Sequence, residues 1–330
     1  MVLESLTSMK NAEKHPISLF FIAFIVTTGA MILSFKTFPQ SSSVLTIAFI
    51  ALTFMPILHS LMLREEENEI SENDVPFAFI ATHFNVIHIY SWIFIGLIAA
   101  FGFWSVALPE SNADCTGLGC MLPERGAIFS EQTKVHSGIT GNFVNITGNA
   151  IGSTECFNEN TKSFAKCFEL IFVNNFWVMG FAILFSLIWG AGAIFILGWQ
   201  ASVIGLFIGL EIQSNSLTAG ALRAVSFLPH GIPEILAYFI AAIAGGIISA
   251  AISKQQFKKN EMKIVIVDTV LLLALATITL FIAAFIETAS IFNQSELAIA
   301  GIMGFFALYI ILYIPGVRYK LNKFRKEHQA

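Results

Sequence analysis

Eight apolar runs dominate the sequence, and most of them are long enough to cross a membrane. A helix rises about 1.5 Å per residue, so about 20 apolar residues cross the ~30 Å hydrocarbon core of a bilayer. Backbone groups in lipid must be satisfied within their own segment, which favours helices over open strands. The predicted spans lie near 16–35, 43–63, 86–108, 171–197, 199–213, 229–252, 264–286 and 297–315. The sequence therefore predicts an all-α integral membrane protein, a polytopic bundle of about eight transmembrane helices.

Composition excludes two large classes of protein. Apolar side chains make up 56% of the 330 residues and charged side chains only 12%, whereas a soluble domain carries roughly 25% charged residues. The 18 basic and 22 acidic residues give a net charge of −4, which provides no basic field for nucleic acid. Membrane lipids are the predicted surroundings, and no nucleic-acid partner is expected.

Two of the predicted spans carry unusual features. The fifth is short because Trp199 and Gln200 leave only a short apolar run, which is compatible with a full span and with a re-entrant or half-span element. The sixth is predicted to begin at Pro229, because proline is tolerated in the first turn of a helix.

The lysines and arginines predict the orientation of the chain in the membrane. With both termini in the cytoplasm, twelve of the eighteen basic residues lie on the inner side, as the positive-inside rule requires. An even number of spans agrees with this assignment. We expect a multi-pass protein of the cell membrane with both termini cytoplasmic.

The predicted organisation has five parts along the chain. Residues 74–83 are predicted to form an amphipathic segment on the cytoplasmic membrane surface. The parts are two N-terminal spans with this cytoplasmic linker (1–85), a third span (86–108), an extracytoplasmic loop domain (109–170), a transmembrane core (171–315) and a basic cytoplasmic tail (316–330).

All four cysteines lie in the predicted loop domain, at Cys115, Cys120, Cys156 and Cys167. Thiols on the oxidising side of a membrane can form two disulfides, which stabilise a domain with little core. Three pairings are possible, and the spacing does not choose among them. A zinc site built from the four thiolates is the competing interpretation. The glycosylation motifs at Asn145 and Asn293 both fall on the predicted outer side.

Ionisable groups within a membrane are costly, about 3 kcal/mol each on insertion scales, and often mark a site. His230 and Glu234 are four residues apart, which places them on one helical face. The predicted topology places seven polar residues from five regions of the chain near the outer leaflet. They are His230, Glu234, Asn174, Asn175, Glu211, Arg223 and Glu287. We expect these residues to surround one cavity.

Three interpretations of this polar set remain open. The residues could pair with one another structurally, bind a ligand or ion, or use His230 and Glu234 as metal ligands or an acid/base pair. A catalytic zinc ion usually has three protein ligands, and Glu211 or Glu287 could be the third. The sequence contains no zincin motif and no Gly-x-Ser-x-Gly elbow. No catalytic residue is assigned, and the only cofactor considered is a metal ion at His230 and Glu234.

Two further sets complete the candidates. Polar residues predicted near the cytoplasmic ends are interpreted as wetted interfacial side chains: His59, His83, Asn85, His88 and Asp268. Small residues allow helices to approach closely, and they lie at Gly180, Gly190, Gly192, Gly205, Gly209, Gly245 and Gly246. Such faces pack against another helix of the same chain or against a second copy, which would make a homo-oligomer.

One segment, residues 228–237, carries a specific motif. It begins Leu228, Pro229, His230, Gly231 and continues through Pro233 to Glu234. This motif resembles the signature of the stage II sporulation protein M family, in which proline, histidine and glycine are followed by glutamate. Three other segments resemble family features in the expected order. They are Asn174 with Asn175, the segment 197–205, and the alanine-rich stretch 283–287 that ends in Glu287. The resemblance covers roughly 170–315, with the first two spans and the loop domain outside it.

This resemblance implies a polytopic membrane protein that, in spore-forming bacteria, holds peptidoglycan-degrading partners at the membrane during engulfment. We therefore expect a non-enzymatic scaffold that recruits partner proteins, with residues 109–170 as the docking surface. The alternatives are a transporter or channel that uses the outer polar residues, and a metal-dependent membrane enzyme.

Overall fold

The computed structural model describes residues 17–71, 83–110, 122–141, 156, 162–253 and 259–327. Within these ranges the chain is helical and contains no strand, which confirms the predicted all-α class. The helices are α1 (Ile17–Thr37), α2 (Ser42–Ser71), α3 (Phe84–Ala107), α4 (Arg125–Ile128), α5 (Ser130–Gly141), α6 (Phe164–Trp189), α7 (Ala193–Ser214), α8 (Leu217–Ser253), α9 (Lys259–Ile291) and α10 (Ser295–Glu327).

Eight helices among the described residues are long and apolar enough to cross a membrane. The spanning segments are Ile17–Thr37, Pro39–Leu63, Phe84–Ala107, Phe164–Trp189, Ala193–Ser214, Leu217–Ser253, Val265–Ile291 and Ser295–Leu312. The predicted number of spans is confirmed, and the chain is a multi-pass membrane protein.

The boundary between the fourth and fifth spans differs from the prediction. Gly190 has a φ of +70°, a left-handed conformation that other residues rarely adopt, and it ends α6. A Cβ on Gly192 would lie close to the carbonyl of Phe185, so this turn also requires a residue without a side chain. The fifth span therefore begins at Ala193 and has 22 residues. The predicted start at residue 199 is wrong, and of the two interpretations left open the length fits a full span.

The start of the sixth span also differs. Helix α8 begins at Leu217 and runs for 37 residues, with Pro229 and Pro233 inside it. Proline keeps a helical φ and removes a backbone hydrogen bond, and membrane helices tolerate this loss where neighbouring groups satisfy the backbone. The prediction that Pro229 opens the helix is wrong.

The chain divides into two compact units, which are described separately. Unit 1 comprises residues 1–56, 89–170 and 194–228. In unit 1, α1 packs closely on α3. A Cβ on Gly96 of α3 would lie 2.5 Å from the carbonyl oxygen of Phe20 in α1. Trp104 of α3 donates a 2.8 Å hydrogen bond from Nε1 to the hydroxyl of Thr28. Helix α7 packs on α3 through Gly205, where a Cβ would lie 2.8 Å from the backbone nitrogen of Gly102.

Short helices α4 and α5 lie within the predicted loop domain and pack into unit 1. Ile128 and Phe129 are each 1% exposed. The hydroxyl of Ser42 donates a 2.9 Å hydrogen bond to the carbonyl of Ala127. Helix α6 also begins inside the predicted loop, at Phe164. Part of the segment 109–170 is therefore fixed to the spanning helices.

Unit 2 comprises residues 57–88, 171–193 and 229–330. Helix α8 supplies much of its core, since every residue from 237 to 247 is buried. A Cβ on Gly245 would lie 2.8 Å from the carbonyl of Ile183 in α6. The rings of Phe172 and Phe281, 5.8 Å apart between centroids, join α6 to α9. The face of Gly245 and Gly246 thus packs within the chain.

One disulfide is described, between Cys156 and Cys167, whose Cα atoms are 5.0 Å apart. It ties residue 156 to the first turn of α6. Cys115, Cys120, Asn145 and residues 74–82 lie outside the described residues. Asn293 is exposed in the turn between α9 and α10, with a φ of 54°.

Candidate functional site

Helix α8 carries three of the groups that form the candidate site. His230, Glu234 and Tyr238 follow one another at intervals of four residues, which places them along one face. The Tyr238 hydroxyl donates a 2.9 Å hydrogen bond to Oε1 of Glu234. Tyr238 is fully buried, while Glu234 and His230 are partly buried.

Glu287 on α9 is the fourth group. Its carboxylate interacts electrostatically with the carboxylate of Glu234 and with the hydroxyl of Tyr238. His230 also interacts electrostatically with Glu234. Glu287 is partly buried near the end of its spanning segment. We name Glu234, Glu287, His230 and Tyr238 the carboxylate cluster. It lies entirely in unit 2, on two helices.

The backbone near the cluster also departs from a regular helix. Proline has no N–H, so Pro233 cannot donate the usual helical hydrogen bond to the carbonyl of Pro229. That carbonyl adjoins His230 in the chain. No atom lies within 4 Å of the position that a Cβ on Gly231 would take. The proline pair therefore places a backbone oxygen without its helical donor next to ionisable side chains.

The seven predicted residues are only partly joined by these contacts. Asn175 is buried and accepts a 3.2 Å hydrogen bond from the amide of Asn174, its neighbour on α6. Both belong to unit 2. Glu211 and Arg223 belong to unit 1. There Glu211 accepts a 2.8 Å hydrogen bond from Asn215, and the guanidinium of Arg223 lies 5.6 Å from the ring centre of Phe227. A single cavity around all seven residues stays a prediction.

Metal binding has a limited set of donors here. Among the described residues, no group of three or more His, Cys, Asp or Glu side chains is arranged to hold a metal ion. The carboxylate cluster can accept hydrogen bonds, bind a cation or exchange a proton. It provides two carboxylates, one imidazole and one phenol as ionisable groups.

The second predicted set is divided between surface and interior. Asn85 and His88 are exposed, as interfacial residues should be, and His88 stacks on Phe84 with ring centres 6.1 Å apart. His83 is only 1% exposed and interacts electrostatically with Asp268. Its interpretation as a wetted residue is wrong. The ring of His59 lies against the position that a Cβ on Gly190 would occupy.

Two polar features escaped the sequence analysis. Gln132 of α5 is 1% exposed, accepts a 2.7 Å hydrogen bond from Ser43 and donates one of 3.0 Å to Ser202. Arg125 donates hydrogen bonds to Glu110 and Gln213. A lone glutamine in a polar stretch gives no signal of burial. Tyr238 could have been found from its spacing of four residues from Glu234.

Comparison with known proteins gives one match. A family model described as Stage II sporulation protein M matches residues 17–290. The match begins at the first span, includes the segment 109–170 and ends with α9. The extent expected from the resemblance, 170–315 alone, is therefore wrong. No curated protein and no solved structure matches the chain.

Proposed function

Since the chain belongs to the stage II sporulation protein M family, we propose that it is a non-enzymatic membrane scaffold that recruits partner proteins through the segment between α3 and α6. The partners are peptidoglycan-degrading enzymes, the class that the family resemblance implies. The family match supports the proposal because it includes this segment as well as the spans.

The attachment of α4 and α5 is the observation that carries the proposal. A docking surface is useful to a scaffold only if its position relative to the membrane is fixed, because a tethered partner otherwise samples a large volume. Gln132 joins α5 to Ser43 of α2 and Ser202 of α7, and Arg125 joins α4 to Gln213 of α7. These contacts connect the intervening segment to spanning helices of unit 1.

Partner recruitment is tested by exchanging the rest of the segment. We expect Gly-Ser linkers of equal length in place of residues 111–121 and 142–155 to lower co-purification of peptidoglycan-degrading enzymes from native membranes at least about tenfold, a loss of about 1.4 kcal/mol. Quantitative mass spectrometry of the tagged, cross-linked chain measures the change. Residues 122–141, which pack into unit 1, stay in place.

The matched control is the same kind of exchange at residues 254–258, between α8 and α9. This variant should keep its partners. Undiminished recovery of those enzymes with the first variant, correctly inserted and folded, contradicts the proposal.

We also propose that both termini face the cytoplasm. The excess of lysine and arginine in the inner segments supports this orientation. So does the disulfide between Cys156 and Cys167, because disulfides persist in oxidising compartments. In this orientation the turn after α9 is outside and the end of α8 is inside.

Cysteine labelling in intact cells tests the orientation at two exposed positions. A membrane-impermeant maleimide should label Gln294→Cys in intact cells, and it should label Ser253→Cys only after the membrane is permeabilised. The unsubstituted chain gives the background. Labelling of Ser253→Cys first would reverse the assignment.

A further inference from the structure

The charge balance of unit 2 points to a bound proton. Its spanning segments contain Glu234, Asp268, Glu287 and Glu296 and no lysine or arginine. Charges at membrane depth are stable only with a partner of opposite sign or after neutralisation. Asp268 has His83 nearby, and Glu296 is exposed at the start of α10. Among the described residues, His230 is the basic side chain that interacts electrostatically with Glu234.

The surroundings of the two carboxylates differ. Glu234 accepts the hydrogen bond of the buried Tyr238 hydroxyl and has His230 one turn away. Both contacts stabilise a negative charge. For Glu287, no hydrogen bond to the carboxylate is found among the described residues, and repulsion between the two carboxylates favours a proton on one of them. The adjacent hydroxyl of Thr288 donates instead to the carbonyl of Ala284 at 2.7 Å.

In the described spanning segments of α2, α3, α6 and α10 that belong to unit 2, there is no lysine or arginine. The part of α6 in this unit, residues 171–189, has no ionisable side chain. Tyr309 of α10 shares a 2.8 Å hydrogen bond with Thr279. The histidines of α2 and α3 in this unit are His59, which lies against Gly190, and His88, which is exposed.

We propose that Glu287 carries a proton at neutral pH while Glu234 is ionised, so that the carboxylate cluster is a proton-binding site within the membrane-spanning part of unit 2. The proton resides on one carboxylate oxygen of Glu287, and the charge on Glu234 is stabilised by the hydrogen bond that the phenol of Tyr238 donates. The site is independent of partner recruitment, since it involves none of the residues of the intervening segment.

Infrared spectroscopy of the full chain in lipid nanodiscs tests the site. Glutamic acid in water is ionised at about pH 7, so a protonated carboxyl band at that pH reports a site of this kind. We expect the band in the unsubstituted chain, its shift in heavy water, and its loss in Glu287→Gln. Asp268→Asn is the matched control in the same span and should retain the band.

Three results would overturn the proposal. They are absence of the band from the unsubstituted chain at neutral pH, its persistence in folded Glu287→Gln, and its replacement by stoichiometric sodium binding that Glu287→Gln abolishes. The first measurement needs no variant, so absence of the band overturns the proposal even where a variant does not fold. Partner co-purification is not a readout here, and either proposal can fail alone.

Discussion

Leucine in place of Gly205 is expected to destabilise the protein by about 3 kcal/mol, the upper part of the usual range for overpacked interiors. A Cβ at this position would lie 2.7 Å from Cβ of Phe101 and 2.8 Å from the backbone nitrogen of Gly102. Backbone atoms cannot rotate away as the end of a long side chain can. Helices α3 and α7 must therefore separate, and the packing around them is lost. Thermal unfolding of the purified protein in detergent, followed by tryptophan fluorescence, measures the effect.

Gly180→Leu is the matched control for this prediction. Gly180 is another glycine within a spanning helix, and no atom lies within 4 Å of where its Cβ would be. Since glycine is about 1 kcal/mol worse than alanine within a helix, filling this position should leave the stability unchanged or raise it. Equal losses for the two variants would contradict the packing of α7 on α3.

Leucine in place of Gln132 is the second substitution with a large expected effect, about 2 kcal/mol of lost stability. The carboxamide oxygen accepts from Ser43 at 2.7 Å and the nitrogen donates to Ser202 at 3.0 Å, in a setting where all three side chains are buried. Removing it leaves the Ser43 hydroxyl without this acceptor. Ser202 loses less, because its hydroxyl also donates to the carbonyl of Trp199 at 2.7 Å.

A second change separates this mechanism from simple misfit of leucine. Ser43→Ala in the Gln132→Leu background should recover about 1 kcal/mol, because removing both partners of a buried hydrogen bond costs less than removing one. Thr133→Leu, at the exposed neighbouring position on α5, controls for a leucine in this helix and should be nearly neutral. Chemical unfolding of the unsubstituted chain, Gln132→Leu, Ser43→Ala and the double variant gives the coupling energy. A coupling near zero would contradict the bridging role of Gln132.

The sequence indicated the close contact of Gly205 only in part and gave no sign of the hydrogen bonds of Gln132. Gly205 and Gly209 are spaced as a close-packing pair, and the sequence left open whether they contact the same chain or a second copy. In the structure, Gly205 of α7 packs against α3 of the same chain. Gly180 is also a glycine in a spanning helix, but no atom lies within 4 Å of the position that its Cβ would take. Residue type therefore showed where close approach is possible, and only the tertiary structure showed where it occurs.

The candidate site was predictable along one helix and not between helices. His230 and Glu234 share a face because of the helical repeat, which the sequence contains. Glu287 is far from them in the chain, and its electrostatic interaction with Glu234 depends on the tertiary structure. The predicted start of α8 is wrong because Pro229 resembles a helix start, while the chain before it is already helical from Leu217.

Local features of the sequence suffice to predict the class of protein, the number of spans and the family signature. Each depends on local properties: the apolar length that the bilayer requires, the lack of surface charge, and a short run of residues around His230. Three features became visible in the three-dimensional structure: the start of α7, the packing of α4 and α5 on spanning helices, and the electrostatic interaction of Glu287 with Glu234. These features depend on contacts between residues distant in the chain. Their free energy comes from burial and shape, which no local pattern of residues records.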